Sequence, residues 1–193
     1  AKKQLDLQFP VPKAKTGEFR FSGRFNGQAI TSLVIPYRKV GELLQATPLP
    51  RAGQPDAWRT NSSGKMSIRG NSSENSVVFE IDFRNVTNRW AAPSLPLLLP
   101  QESLRSAVGM EFELKVDGNP ADAMYPLVYF FGNHVQAREP YPQPTGEWKN
   151  YRILFENLKT PEGVERFQIA LSGKQEKLIY QVRNIRFLFR SEK

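Results

Sequence analysis

Trp148-Lys-Asn-Tyr151-Arg-Ile153-Leu-Phe155, Phe167-Gln-Ile169-Ala-Leu171 and Tyr180-Gln-Val182-Arg-Asn184-Ile185-Arg-Phe187-Leu-Phe189 close this 193-residue chain, and their reading decides the fold. In each segment apolar residues fall on alternate positions, the period of a strand that buries one face and wets the other. Val182 and Ile185 are three apart instead of two. Both point inward only if a bulge sits near Arg183 and Asn184, so the last strand is expected to bend.

Upstream the same period recurs. Val77, Phe79, Ile81 and Phe83 alternate with Glu80, Asp82 and Arg84, and Met110, Phe112, Leu114 and Val116 alternate with Glu111, Glu113 and Lys115. Phe19 to Phe25 and Ala29 to Tyr37 read as a hairpin about an Asn26-Gly27 turn, whose strands are expected to open the sandwich. Leu127-Val-Tyr129-Phe130-Phe131 is apolar on both faces, the mark of a central strand or of one whose outer face binds something. Thr47–Pro55 and the proline-rich Ala137–Gly146 read as loops, and Glu102–Val108 as one helical turn. About nine strands, no long helix and no repeat predict an all-β, jelly-roll-like sandwich of two antiparallel sheets, with residues 1–193 as one domain.

A tryptophan opening a strand, then Phe-x-Ile-x-Leu and a small-residue turn, then Tyr-x-Val-x-Asn-Ile-x-Phe, resembles the C-terminal half of the galactose-binding-like jelly rolls, many of which are carbohydrate-binding modules. The likeness covers the last quarter of the chain and, more loosely, Trp58 to Leu99. It implies that fold, a sugar-binding role beside a polysaccharide-active enzyme, and a core position for Trp148. Such modules usually carry an acidic residue, often a calcium ligand, just before the Asn-Ile pair. This chain has Arg183 there, which argues against a structural calcium at that spot, and no cofactor is expected.

Composition removes whole classes of function. With one histidine, His134, and no cysteine, neither Cys-His catalysis nor a multi-histidine zinc site can be built. No Gly-rich phosphate loop, Gly-x-Ser-x-Gly elbow or His-Glu-x-x-His motif occurs. No apolar run approaches the roughly 18 residues of a membrane span, so no membrane partner is expected. A first residue of Ala1 in place of Met, together with the lack of cysteine, suggests export, hence a secreted or periplasmic protein. The net charge of +8 invites nucleic acid, but no cluster of five or six basic residues occurs, and an acidic polysaccharide exploits the same field.

Sugars offer patches of C–H bonds that stack on aromatic faces, and hydroxyls that need planar donors and acceptors. Tyr125, Tyr129, Asn133, His134 and Arg138 form the best candidate stretch, followed by Trp58 and Trp90, which polar residues flank. The expected function is a non-catalytic carbohydrate-binding module for an oligo- or polysaccharide, neutral or acidic, either an accessory to a catalytic domain in a larger parent protein or a free-standing binding protein. One alternative is a jelly-roll polysaccharide lyase using Tyr129, Asn133, His134 and Arg138, or a glycosidase using a pair from Glu80, Asp82, Glu111 and Glu113. The other is a structural or protein-interaction domain.

Overall fold

The computed structural model describes residues 16–25, 28–38 and 44–190, with side-chain surroundings from residue 44 onward. Strands β1 (Thr16–Phe25) and β2 (Gln28–Arg38) form a two-stranded antiparallel sheet, in a register that joins Phe25 to Gln28. The predicted hairpin is therefore present, while its Asn26-Gly27 turn lies outside the described residues. The two strands pair only with each other among the described residues, and the chain divides into two compact units, Ala1–Leu44 and Gln45–Lys193.

The second unit is a sandwich of two antiparallel sheets. One sheet runs in the order β11 (Lys149–Leu154), β8 (Ala107–Asp117), β13 (Lys177–Arg190), β5 (Ser76–Asp82) and β4 (Lys65–Asn71), with β3 (Leu44–Pro48) also beside β13. The 14-residue β13 is long enough to serve β5 along Lys177–Val182 and, further on, to take the Leu49 N–H on the Ile185 carbonyl at 2.9 Å. The other sheet runs β10 (Val135–Pro140), β9 (Ala123–Gly132), β12 (Val164–Gly173), and then both β6 (Trp90–Ala91) and β7 (Ser94–Pro96) on the far side of β12.

Thirteen strands among the described residues exceed the nine expected, for local reasons. β6 and β7 have two and three residues, too few to show alternation. β10 lies in a stretch whose prolines predict a loop, yet it is an edge strand that ends on Pro140, where a missing N–H costs no ladder bond. Gln101–Leu104 is a 3-10 turn, close to the helical turn predicted there.

The inner faces are built from the alternating residues. Phe79, Ile81, Met110, Phe112, Leu114, Tyr180 and Val182 of one sheet meet Val128, Phe130, Phe167, Ile169 and Leu171 of the other, all buried. Each large apolar side chain so buried contributes about 1.5–3 kcal/mol. The Tyr180 hydroxyl donates to the Ile169 carbonyl at 3.0 Å, tying the two sheets together. The bulge expected near Arg183 is present: Arg183 pairs with Glu113 and Arg186 with Glu111, so Asn184 and Ile185 face one residue of β8, and Asn184 takes a φ of 54°. That extra residue keeps both Val182 and Ile185 inside.

Glu139 is the most buried charged group among the described residues, 1% exposed. Its Oε1 accepts the backbone N–H groups of Glu156 (2.9 Å), Asn157 (2.6 Å) and Leu158 (2.9 Å), and Oε2 accepts from Asn157 Nδ2 at 3.1 Å. Converging donors satisfy the carboxylate where water does not. This ties the edge strand β10 to the loop after β11 and fixes the frame of the open face beside it.

Candidate functional site

β9 lies between β10 and β12, and its residues alternate between the core and the open face of the five-stranded sheet. Val128 and Phe130 go inward, while Tyr125, Leu127, Tyr129 and Phe131 go outward and line a shallow groove with Gln168, Ala170 and Ser172 of β12 and with Trp90 and Asn61 beyond them. Pairing registers place the outward residues in rows across the sheet. Arg138, Tyr129, Gln168 and Ser94 make one row, and Gln136, Phe131, Arg166 and Pro96 the next. The groove holds about 240 Å³. Sites that enclose a small ligand run about 300–1,000 Å³, so this one suits a chain laid across it.

The Tyr129 and Phe131 rings are nearly parallel, 15° apart in plane with centroids 6.1 Å apart, and the Arg166 guanidinium lies 4.9 Å over Phe131. Further along β9 the register slips between Ala170 and Ser172, so Tyr125 and Pro126 oppose one residue of β12. This bulge holds Tyr125 at a φ of 52°, in the left-handed region that aromatic residues avoid, and leaves its ring 70% exposed. Left-handed backbone at a non-glycine residue costs about 1–3 kcal/mol and collects at ligand-binding positions.

Gln168 is only 8% exposed, yet its side-chain amide makes no hydrogen bond among the described residues. Gln168 lies between Tyr129 and Ser94 in its row and lines the groove.

Of the residues singled out from the sequence, Tyr125, Tyr129, Arg138 and Trp90 belong to this open face or its margin. Tyr129 and Arg138 are directly paired across β9 and β10. Asn133 and His134 form the exposed two-residue tip of that hairpin, His134 with a φ of 57°. Four residues of strand separate Asn133 from Tyr129, about 13 Å. The four-residue lyase constellation is therefore not gathered at one point.

Trp58 is corrected to the core. It is 3% exposed, meets Phe79 and Phe167 edge-on at 5.0 and 5.8 Å, and donates Nε1–H to the Ala52 carbonyl at 2.9 Å. It plugs the sandwich between the two sheets. Trp148, expected in the core, is half-buried on the outer face of the other sheet, with Arg183 at 4.2 Å and Lys115 at 5.2 Å over its ring and Nε1 donating to Glu74. Its position just before β11 leaves it outside the alternation that buries Tyr151 and Ile153.

That outer face is a lattice of matched charges. Glu111 meets Arg152 at 2.8 Å and Arg186 at 3.7 Å, Glu113 meets Arg183 at 2.7 Å, Glu74 meets Lys115 at 2.7 Å, and Glu80 meets Lys177 at 2.7 Å. Hydrogen bonds from Arg84 hold the Asp82 carboxyl down to about 2, and one from Lys177 lowers Glu80. At Glu113 desolvation raises the carboxyl, but donation from Asn184 and Arg183 outweighs it and the net direction is down. A glycosidase needs one carboxylic acid held protonated, the opposite of what these pairings do.

No protein-family model matches the sequence, and no curated protein matches it. Among solved structures, the chain is similar to a family 29 carbohydrate-binding module complexed with cellulohexaose (12% identity, 78% of this chain and 94% of that one, TM-score 0.52). It is also similar to the family 11 module of the cellulosomal cellulase Lic26A-Cel5E of Clostridium thermocellum (13% identity, 77% and 97%, TM-score 0.52). An exo-beta-agarase matches over 79% of this chain but only 25% of its own length (8% identity, TM-score 0.53). At such identities the likeness is one of backbone, and what the chain shares with these modules is the jelly-roll β-sandwich fold.

Proposed function

We propose that this protein binds a polysaccharide or oligosaccharide on the open face of the five-stranded sheet, without catalysing its cleavage, as an accessory to a polysaccharide-active enzyme outside the cytoplasm. The observation that carries the reading is the outward row of Tyr125, Leu127, Tyr129 and Phe131, which lines an open groove together with the Gln168 amide. Sugar C–H faces pack on the rings, and hydroxyls supply the donors and acceptors that the amide lacks. Tyr125, held out by the bulge, extends the platform towards Trp90 at the groove margin. Binding on this face relies on side chains alone and calls for no metal. Both neutral and acidic glycans enter the test, since the chain carries a net charge of +8.

The deciding experiment is affinity electrophoresis against a panel of neutral and acidic polysaccharides, with absorbance near 235 nm followed for unsaturated uronate products. Retardation without product, lost in Tyr129→Ala, is the expected result. Each exchanged hydrogen bond nets little, so affinity for short sugars is expected to be weak. Product formation would replace the reading with a lyase. No retardation by any glycan would leave a structural or protein-interaction domain as the better account.

A further inference from the structure

The two outer faces of the sandwich treat their arginines differently. At the centre of the six-stranded sheet Arg152, Arg183 and Arg186 are each paired with a glutamate, and Arg69 on the edge strand β4 has no salt bridge among the described residues. On the five-stranded sheet Arg138, paired in register with Tyr129, and Arg166, paired with Phe131, meet no carboxylate among the described residues. Arg59 joins the same row as Ser94 through an isolated bridge, and its guanidinium donates only to the Asp56 carbonyl, at 3.1 Å. The outward positions of this face otherwise hold Gln136, Pro140, Gln168, Ala170, Ser172, Ser94 and Pro96, none of them acidic. Glu165, next in sequence, lies in the bulge between Val164 and Arg166 and outside the paired rows.

Resting on the carbohydrate-binding reading above, we infer that the ligand of this face is an anionic glycan bearing carboxylate or sulfate groups, and that Arg138 and Arg166 receive those groups on either side of the Tyr129–Phe131 pair. β10 and β12 are two strand spacings apart, about 10 Å, so a chain lying on the aromatic row passes between the two guanidiniums. Each guanidinium offers a planar fork of N–H donors that matches a carboxylate or sulfate edge. Arg166 is already steadied by the Phe131 ring, which lowers the entropy lost when it takes an anion. The face is a positive patch with an aromatic floor, whereas the centre of the opposite face pairs its arginines with glutamates.

Matched probes test the charge separately from the sugar: polygalacturonate against its methyl-esterified form, and a sulfated galactan against its desulfated form, by titration calorimetry in low and moderate salt. At least one charged member is expected to bind about tenfold or more tightly than its neutral twin, and to weaken as salt rises. Arg138→Gln/Arg166→Gln should erase most of that ratio and flatten the salt dependence. Neutral and charged members binding alike, or a ratio unchanged in the double variant, would overturn the inference and leave the carbohydrate-binding reading standing. Failure of every glycan would overturn both. A single-stranded oligonucleotide bound more tightly than any glycan, and released by the same double variant, would overturn the inference in favour of nucleic acid, because aromatic rows with basic flanks also stack bases.

Discussion

Replacing Trp58 by alanine should unfold this domain more readily without touching its binding face. The indole is 3% exposed and bridges the sheets by edge-on contacts to Phe79 at 5.0 Å and Phe167 at 5.8 Å. Removing a buried tryptophan costs about 3–5 kcal/mol in transfer and cavity terms. The Ala52 carbonyl also loses its donor, which adds about 1 kcal/mol if water does not reach it. Against a total of about 5–15 kcal/mol, this leaves a thin margin and lowers the melting midpoint by roughly 10 °C or more. Urea titration followed by far-UV circular dichroism reads the loss, and affinity electrophoresis well below the midpoint reads binding per folded molecule. Trp58→Phe keeps one aromatic ring, losing the N–H and part of the indole's volume, so it should cost less, about 1–3 kcal/mol. A Trp58→Ala protein within about 1 kcal/mol of wild type would refute the core assignment. So would one that keeps its midpoint and no longer holds a glycan.

Two further outcomes are expected. Gln168→Leu should bind glycan about tenfold less well while staying as stable or becoming more so, because it removes an amide that has no protein partner; calorimetry and thermal melts on one preparation show whether binding and stability part in this way. In a carboxyl NMR titration Asp82 should show a midpoint near 2, moving back towards the ordinary 3.8 in Arg84→Gln. Its folded value lies below the unfolded one, so the stability it lends is present above about pH 4 and fades as pH falls towards 2. A wild-type midpoint near 3.8 would remove the ion pair from the account.

Much of the fold was legible from period alone. Val77 to Phe83, Met110 to Val116 and the three closing segments alternate because each strand has one wet face, and the spacing of Val182 and Ile185 announced the bulge. Tyr129 and Arg138 could be placed in one neighbourhood since a two-residue turn joins their strands. Arg166 and Gln168 could not. They occupy the polar phase of β12, where nothing local distinguishes a residue facing a groove from one facing open solvent. Trp58 and Trp148 went astray in opposite directions for a related reason: both stand just outside regular strands, where alternation says nothing about burial.

The sequence by itself determined the class of structure, since alternation and absent helical periods are properties of nearest neighbours along the chain. Which face stays open was decided only in three dimensions. β12, β9 and β10 pair side by side although more than twenty residues separate β10 from β12, and only that pairing sets Arg166 and Arg138 on the two sides of one aromatic row. Charge pairing across β8, β11 and β13 likewise neutralises the centre of one face and leaves the other positive, because an ion pair depends on distance in space and not along the chain.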